Sequence, residues 1–450
     1  MTDILDKIAG LVWGGGTLAL ILGIGAFFTV ITGGFQFRCA GTILRRTLGS
    51  LGRRRVGSDS GVSPFQTFTT ALAAAMGTGN ITGVATALTI GGAGAIFWMW
   101  VSALLGMMTA YSENLLGVRF RYKNGDGSIT GGPMAYMERG LRCRPLALCY
   151  AFLCCLAGLG IGSLVQANSV SSALYAAYNV PVSASGAVLT AAAGIVILGG
   201  ADRVLKATER LVPVMSAVYM LACVVLLVCF SSELPAAFAE ILRSAFGIRQ
   251  AAGGICGAAV RTALSAGLRR GVFSNEAGLG SSAIVHSDAE CETPSQMGMW
   301  AVVEVFADTI ICCTLTALVL LASGAYRSDG TGGDGAAMVI DGFRRGFGSG
   351  SVLFVTAAVA IFAFATILGW SYYGEKSARY LLGRRGGAVY RVVFVLSIYI
   401  GAVGSLSAVW AASDILNGLM ALPNIAALLL LSGEVRRQTE KDVPRKGRVG

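Results

Sequence analysis

Apolar runs recur along the whole chain, each about 20 residues long, and short polar clusters separate them. A helix of that length crosses the hydrocarbon core of a bilayer. Lipid offers the backbone no hydrogen bonds, so each run must satisfy its own as a helix. We therefore predict an all-α polytopic membrane protein with about eleven transmembrane helices, at residues 11–34, 66–89, 92–117, 145–175, 183–200, 211–230, 254–283, 297–324, 350–373, 391–410 and 412–432.

The charges are few and lie between the apolar runs. The chain is 54% hydrophobic and 13% charged, whereas a soluble domain carries about 25% charged residues. The net charge of +11 does not indicate nucleic-acid binding, because the basic residues form short clusters in the loops. Positive loops mark the cytoplasmic side, and six arginines lie between residues 38 and 55. We expect a multi-pass protein of the bacterial inner membrane, with the N-terminus outside and the C-terminus cytoplasmic. Loop 286–292 is acidic although this count places it inside.

The sequence offers little that would serve an enzyme. His286 is the only histidine, and the eleven cysteines lie mostly inside apolar runs. This excludes most zinc sites and Ser-His-Asp triads, and no G-x-S-x-G nucleophile elbow is present. We predict that the protein is not an enzyme. Residues 128–141 are predicted to form a short helix on the inner surface.

Two spans carry matching interruptions at mid-length. The second contains TALAAAMGTGNITG (residues 70–83) and the seventh contains TALSAGLRRGVFSNEAG (residues 262–278). Paired interrupted segments in two halves of a chain point to an inverted-repeat transporter site, and five spans from one to the other give the repeats opposite orientations. The free N–H groups of half-helices hold carboxylates, and their free carbonyls hold cations. The alternative is that these glycines and asparagines only pack or kink helices.

Five blocks of sequence identify a relationship. They are SPFQTFTTALAAAMGTGN (63–80), GGAGAIFWMWVSALLG (91–106), ITGGPMAYMERGL (129–141), RGVFSNEAGLGSS (270–282) and GWSYYGEK (369–376). In this order they resemble the sodium:alanine (alanine/glycine:cation) symporter family. The resemblance implies a leucine-transporter-like 5+5 inverted repeat with broken core helices one and six, plus one extra N-terminal helix. The second and seventh spans would then be core helices one and six.

The resemblance also implies a division of the chain and a function. Residues 1–58 would hold the extra helix and a basic loop, 59–230 the first repeat, 231–432 the second repeat and 433–450 a basic tail. We expect uptake of alanine or glycine, coupled to sodium, by alternating access in the lipid bilayer. We expect a monomer with no nucleic-acid partner. Glutamine as substrate, proton coupling and a channel are the alternatives.

The substrate site is expected at the two breaks. In core helix one, the N–H groups of Thr78 and Gly79 would receive the substrate carboxylate, and Asn80 would orient the ligand or support the break. In core helix six, carbonyls near the break would receive the amine. Gln166 is either a direct ligand or a helix–helix hydrogen bond, and Trp370 either walls the pocket or anchors at the interface. The predicted substrate-binding residues are Gly77, Thr78, Gly79, Asn80, Gln166, Ser274, Asn275 and Trp370.

A sodium site is expected by analogy with the wider fold. The hydroxyl of Thr366 would join the carbonyls of Ala73 and Met76 around the ion. The alternative is that Thr366 bonds back to its own helix. Buried carboxyls are costly unless paired; those in the spans are Glu113, Glu276, Glu304 and Asp308.

Their roles stay open at this point. Arg269 and Arg270 are candidate partners for one of these acids. Asp308 and Glu113 are expected to be structural braces, and Glu276 or Glu304 would carry the proton if protons drove transport.

Overall fold

The structure is built almost entirely of helices. The computed structural model describes residues 10, 12–51, 61–247, 256–327, 333, 335–404 and 406–444, without the side chains of residues 256, 258 and 406–412. The helices are α1 (Gly15–Ile31), α2 (Phe35–Arg38), α3 (Ala40–Arg46), α4 (Pro64–Ala75), α5 (Thr82–Gly91), α6 (Gly94–Arg119), α7 (Gly132–Ala135), α8 (Arg144–Tyr178), α9 (Val182–Ile197), α10 (Ala201–Cys229), α11 (Leu234–Ala245), α12 (Cys256–Asn275), α13 (Ser281–His286), α14 (Pro294–Ala322), α15 (Gly335–Phe347), α16 (Ser351–Val403), α17 (Leu406–Leu430) and α18 (Ser432–Asp442). A hairpin of β1 (Tyr122–Lys123) and β2 (Ile129–Thr130) lies between α6 and α7.

Each predicted span coincides with one of these helices or with a pair of them. Within the described residues, six helical stretches are long and apolar enough to cross a membrane, and α1, α5 and α9 are shorter apolar helices. The total of eleven spans stays a prediction, since length alone does not count the interrupted spans. Helix α10 begins at Ala201, earlier than predicted. The stretch labelled α16 covers the ninth and tenth spans as two helices that meet at Gly383, where a φ of +70° and a ψ of −165° are not helical and favour glycine.

The long helices pack in two groups, with the interrupted helix α4 between them. Helix α6 packs along α12 and α14, while α16 packs along α8 and α9. Helix α4 contacts α10 and α16 on one side and α13 and α14 on the other. The break that follows α4 therefore faces both groups.

The prediction of a short helix within residues 128–141 is confirmed for residues 132–140, but its predicted position on the surface is wrong. The segment starts as strand β2, and residues 132–137 are buried. Two glycines allow this close approach: a Cβ on Gly131 would lie 2.0 Å from Cβ of Ser287, and one on Gly132 would lie 3.0 Å from Cα of Ile284. The N–H of Gly132 donates to Oγ of Ser287 at 2.9 Å. The segment is thus packed against α13 and its C-terminal end.

Candidate functional site

The first interruption follows α4. A capping box starts this helix, with Ser63 and Gln66 each bonding the other's backbone N–H. The helix ends at Ala75, one 3₁₀ turn covers Thr78–Asn80, and α5 begins at Thr82. Among the described residues, no backbone N–H donates to the carbonyls of Ala73 or Met76. These oxygens are left for other partners.

The second interruption lies between α12 and α13. Glu276, Gly278 and Gly280 have φ values of +55°, +98° and +74°, a region that favours glycine. Two polar side chains from distant helices hold this segment. Tyr150 Oη donates to the carbonyl of Leu279 at 2.8 Å, and Asn424 Nδ2 donates to that of Gly278 at 2.9 Å. Both interruptions in the described chain are therefore stabilised by side chains from elsewhere.

Thr366 lies against the end of α4. Its hydroxyl donates to the carbonyl oxygen of Ala73 at 2.9 Å, and Ala73, Met76 and Thr366 are all buried. The threonine thus bonds across to the broken helix. The close fit extends to Gly77, because a Cβ there would lie 2.5 Å from Oγ1 of Thr366. The arrangement offers a hydroxyl and two carbonyl oxygens that accept no backbone hydrogen bond within the described residues, the neutral ligands that suit sodium at a broken helix.

Gln166 contacts the first interruption directly. Its Oε1 accepts hydrogen bonds from the N–H of Thr78 at 3.3 Å and from the Thr78 hydroxyl at 3.0 Å. Its Nε2 donates to the carbonyl of Ile161 at 3.2 Å, inside a π-helical turn of α8. In this conformation the Gln166 amide occupies the Thr78 N–H that was expected to receive a carboxylate. The N–H of Gly79 donates no hydrogen bond within the described residues.

Asp308 joins the two interruptions. Its carboxylate accepts from Asn80 Nδ2 at 2.6 Å, from Ser274 Oγ at 2.7 Å and from Thr309 Oγ1 at 2.8 Å. Asp308 is fully buried in a π-helical turn of α14, and π-turns occur frequently at functional sites. Asn275 Nδ2 donates to Thr309 at 3.2 Å. The structure thus brings Asn80, Ser274 and Asn275 together around one face of α14.

Trp370 lies on the other side of the interruption, against α8. A Cβ on Gly162 would lie 2.2 Å from the Trp370 Cβ, so only glycine lets the two helices meet there. The indole is 1% exposed and its N–H has no hydrogen-bond partner among the described residues. Its ring packs edge-on to Tyr373 at a centroid distance of 5.5 Å. Trp370 is therefore a buried residue at the contact between α8 and α16.

The four buried acids have no arginine or lysine partner within the described chain. Arg269 pairs with Asp414 at 3.1 Å, so the prediction that it partners one of these acids is wrong. Glu304 lies 3.2 Å from His286. Glu113 accepts from Asn424 Nδ2 at 2.6 Å, and Glu276 accepts from the hydroxyl of Ser281. Asp308 was expected to be a structural brace, and its hydrogen bonds to Asn80, Ser274 and Thr309 are compatible both with that role and with a functional one. Neutralising these carboxyls requires cations or protons.

One cavity lies on each side of the site. On the face predicted to be outside, a cavity of 520 Å³ is lined by Arg269, Arg270, Phe273 and Asp414. Phe273 forms its floor towards the site, since a Cβ on Gly79 would lie 3.4 Å from the ring. On the opposite face, a cavity of 770 Å³ lies beneath the start of α4.

The segment after α13 lies between the site and the face that we predict to be inside. Ala289 forms a bridge pair with Val62, just before α4. Lys376 Nζ lies 2.6 Å from Asp288 Oδ2, and the hydroxyl of Tyr372 donates to the same carboxylate. Arg121 Nη1 donates to the carbonyl of Ala289 at 2.6 Å. These contacts connect the segment after α13 to α16, to the start of α4 and to the end of α6.

Comparison with known proteins decides the family. The family model of the sodium:alanine symporters matches residues 1–446. The chain belongs to the sodium:alanine symporter family. It is 41% identical over 443 residues to the sodium/alanine symporter AgcS of Methanococcus maripaludis, covering 97% of this chain and 96% of that protein. It is 35% identical over 455 residues to the probable sodium/glutamine symporter GlnT of Bacillus subtilis, covering 100% of this chain and 93% of that protein.

The fold agrees with membership of this transporter family. The structure is similar to a crystal structure of MhsT in complex with L-phenylalanine, with a TM-score of 0.59 over 84% of this chain and 90% of that one, at 14% identity. The leucine-transporter-like fold is thereby confirmed. This member of the sodium:alanine symporter family is a multi-pass membrane transporter for amino acids and a cation, and it is not an enzyme.

Sequence reasoning missed several residues that hold this symporter-family site together. Tyr150 and Asn424 anchor the second interruption, and Thr309 binds Asn275. A signal was available for each, since all three are polar residues inside apolar runs. Phe273, whose ring lies against Gly79, carried no such signal because its sequence position is that of an ordinary apolar residue.

Proposed function

We propose that this protein is a sodium-coupled symporter that imports alanine or glycine by alternating access. The observation that carries the proposal is the end of α4, where the carbonyls of Ala73 and Met76 accept no backbone hydrogen bond within the described residues and the Thr366 hydroxyl bonds the Ala73 carbonyl at 2.9 Å. A sodium ion bound there would tie α4 to α16. The ion would favour the packing of the two helix groups around the substrate, and its loss to the cytoplasm would release both.

The substrate carboxylate would bind the N–H groups of Gly79 and Thr78, with Gln166 releasing the latter. The substrate amine would bind near Ser274 and Asn275, where the Asp308 carboxylate adds negative charge. Trp370 and the glycines of α8 leave little room at the wall of the site, which favours a small side chain. The protein would act as a monomer in the bacterial inner membrane, with the N-terminus outside and the C-terminus cytoplasmic.

Two alternatives have support of their own. Glutamine as substrate is supported by the relative described as a probable sodium/glutamine symporter. Proton coupling is supported by the buried acids without lysine or arginine partners in the described chain, of which Glu276 and Glu304 are the candidates. A small neutral substrate with sodium remains our proposal, because the end of α4 presents neutral oxygen ligands.

The test is uptake by the purified protein in liposomes. Labelled alanine, glycine and glutamine are each supplied with an inward gradient of sodium, or of choline at the same pH. We expect saturable uptake of alanine or glycine with sodium only. Uptake that persists in choline and follows a pH gradient would replace sodium by protons, and uptake of glutamine alone would change the substrate.

A further inference from the structure

The only histidine of the chain is buried where three helices of the inner half meet. His286 ends α13 and is fully buried. Its Nε2 lies 3.2 Å from Oε2 of Glu304 on α14, and its Nδ1 lies 3.4 Å from Oγ1 of Thr67 on α4. The His286 imidazole, on α13, therefore contacts both α4 and α14. The sodium-coupled mechanism proposed above does not use this contact, and Glu304 enters only in the proton-coupled alternative.

The charge around the pair is one-sided. Among the described residues, no lysine or arginine lies within ion-pair distance of His286 or Glu304. The titratable groups that face Glu304 are three acids, Glu276, Asp308 and Glu113, together with the hydroxyl of Tyr373 on α16. A lone buried carboxylate is costly, and neighbouring carboxyls add to that cost. The pair reaches zero net charge only when it holds one proton, on the carboxyl or on the imidazole.

We infer that His286 and Glu304 form a proton-binding site that is filled while the inner face is closed and emptied when it opens. The site is separate from the substrate and sodium positions proposed above. The inference rests on the proposed alternating access, because it requires α4 to separate from α13. Its ligand is a proton from the cytoplasm, which regulates the inner gate and is distinct from the coupling ion.

The contacts of the inner face explain why opening would empty the site. The residues that follow His286 are tied to the start of α4 through the bridge between Ala289 and Val62, and Glu290 N–H donates to the Val62 carbonyl at 2.9 Å. Breaking this bridge takes α4, with Thr67, away from the imidazole and admits water. In water, glutamate and histidine titrate near about pH 4.3 and 6.5. Above about pH 6.5 the separated pair holds no proton.

The direction of the pH effect follows from this proton count. The closed form binds one more proton than the open form, so acid on the inner side favours closure. Each pH unit above about 6.5 changes the ratio of closed to open forms by up to about tenfold. Sodium-driven uptake limited by inner opening should therefore slow as the pH inside the liposomes falls from about 8 towards 6.5, at constant outside pH.

The variant Glu304→Gln tests the site. A glutamine amide keeps a hydrogen bond to the imidazole and is neutral without a proton. We expect sodium-driven uptake to persist and its dependence on internal pH to flatten. Glu440→Gln is the matched control, because Glu440 is an exposed partner of Arg436 on α18, and it should keep the wild-type pH dependence. Wild-type pH dependence in Glu304→Gln would overturn the inference, and so would complete loss of sodium-driven uptake.

A second measurement does not depend on transport. Because His286 is the only histidine, its ¹⁵N-labelled imidazole is assigned without further variants. A disulfide between Val62→Cys and Ala289→Cys should lock the inner face closed, with the single variants as controls for the native cysteines. In the oxidised protein we expect the imidazole not to titrate between about pH 5.5 and 8. After reduction in sodium-free buffer we expect it to titrate with a pKa near the ordinary histidine value of about 6.5.

The two measurements separate the failures. An imidazole that titrates identically in the oxidised and reduced protein would overturn the proton site even if sodium-driven uptake is intact. The opposite result is also possible: the wild type shows no sodium-driven uptake, while the imidazole titrates in the reduced protein and not in the oxidised one. That result would overturn the proposed function and leave the proton site standing.

Discussion

Single residues at the end of α4 decide how a cation would be held. The sequence predicted that Thr366 faces Ala73, and the structure places a hydrogen bond of 2.9 Å between them. The sequence did not predict that Gln166 bonds Thr78, because that contact depends on how α8 is rotated and on its π-turn. Sequence patterns identify polar residues at mid-span, but the partner of each is set by helix register and rotation.

For sodium binding, the hydroxyl oxygen of Thr366 should matter more than the shape of its side chain. Thr366→Val keeps the volume and removes the oxygen, whereas Thr366→Ser keeps the oxygen. Loss of one oxygen ligand worth about 1.4 kcal/mol should raise the sodium concentration for half-maximal alanine uptake about tenfold. We expect this for the valine variant and a near wild-type value for the serine variant. An unchanged sodium dependence in Thr366→Val would remove this residue from the ion site.

Gly77 should tolerate no side chain. An added Cβ would lie 2.5 Å from Oγ1 of Thr366 and 3.3 Å from Oε1 of Gln166, so Gly77→Ala must push both residues off the break. We expect uptake to fall about 5- to 150-fold, from steric costs of about 1–3 kcal/mol. Gly83→Ala is the control, since its nearest neighbour is 3.9 Å away. Equal uptake by the two variants would contradict the packing described here.

At the scale of elements, the two interruptions could be predicted and their limits could not. The glycines near residues 77–79 lie at the first break, as expected. The second break runs from Glu276 to Gly280 and so begins inside the predicted interrupted segment at residues 262–278, whereas the predicted site residues Ser274 and Asn275 still belong to α12. Its position depends on Tyr150 and Asn424, and no local pattern reports such distant anchors. The amphipathic helices α11 and α15 were missed because they lie between the apolar runs.

Backbone strain at the second break gives an element-scale prediction. Gly278 has φ +98°, and an added Cβ would meet nothing within 4 Å, so Gly278→Ala changes backbone energy alone. We expect a loss of about 1–2 kcal/mol in unfolding free energy and reduced uptake, measured by thermal unfolding in detergent and by liposome assay.

Gly23→Ala provides the comparison for that variant. Gly23 lies in the regular helix α1, and a Cβ there also meets nothing within 4 Å. The helical φ and ψ of this position suit alanine, so stability should stay unchanged or rise slightly. A Gly278→Ala protein as stable as the Gly23→Ala protein would show that the segment does not need its left-handed conformation.

At the scale of the whole molecule, contacts between the two helix groups close the face that we predict to be cytoplasmic. Asp288 follows α13, and its partners Lys376 and Tyr372 belong to α16. The ion pair is mostly buried, with side-chain exposures of 16% for Lys376 and 9% for Asp288. Alternating access requires this contact to break and re-form in each cycle. The sequence did indicate the odd character of this loop, since its acids were the one poor fit to a cytoplasmic position.

Asp288→Asn should therefore shift the protein towards inner opening. Removing one partner of a largely buried pair leaves the ammonium poorly compensated, at about 1–3 kcal/mol, which corresponds to a rise of about 5- to 150-fold in the open fraction. The measurement is the rate at which Val62→Cys reacts with a membrane-impermeant thiol reagent applied from the inner side. Val62 is only partly buried, but its backbone bridge with Ala289 must break for the inner face to open, so the labelling rate of Val62→Cys should rise with the open fraction.

Asp126→Asn is the control for Asp288→Asn, because it also removes one negative charge that pairs with a cation of α16. Asp126 also pairs with a cation of α16, Arg379, but at the exposed tip of the β1–β2 hairpin. Hydrogen bonds from Ser128 and then from Arg379 hold the pKa of the Asp126 carboxyl below its usual range, so it is charged throughout the assay. Exposed pairs contribute little because water screens them, and thiol labelling should stay at the wild-type rate. If both variants accelerated labelling equally, closure would depend on the total charge of the inner surface. If only Asp288→Asn did so, the pair of Asp288 and Lys376 would act as the latch between the two helix groups.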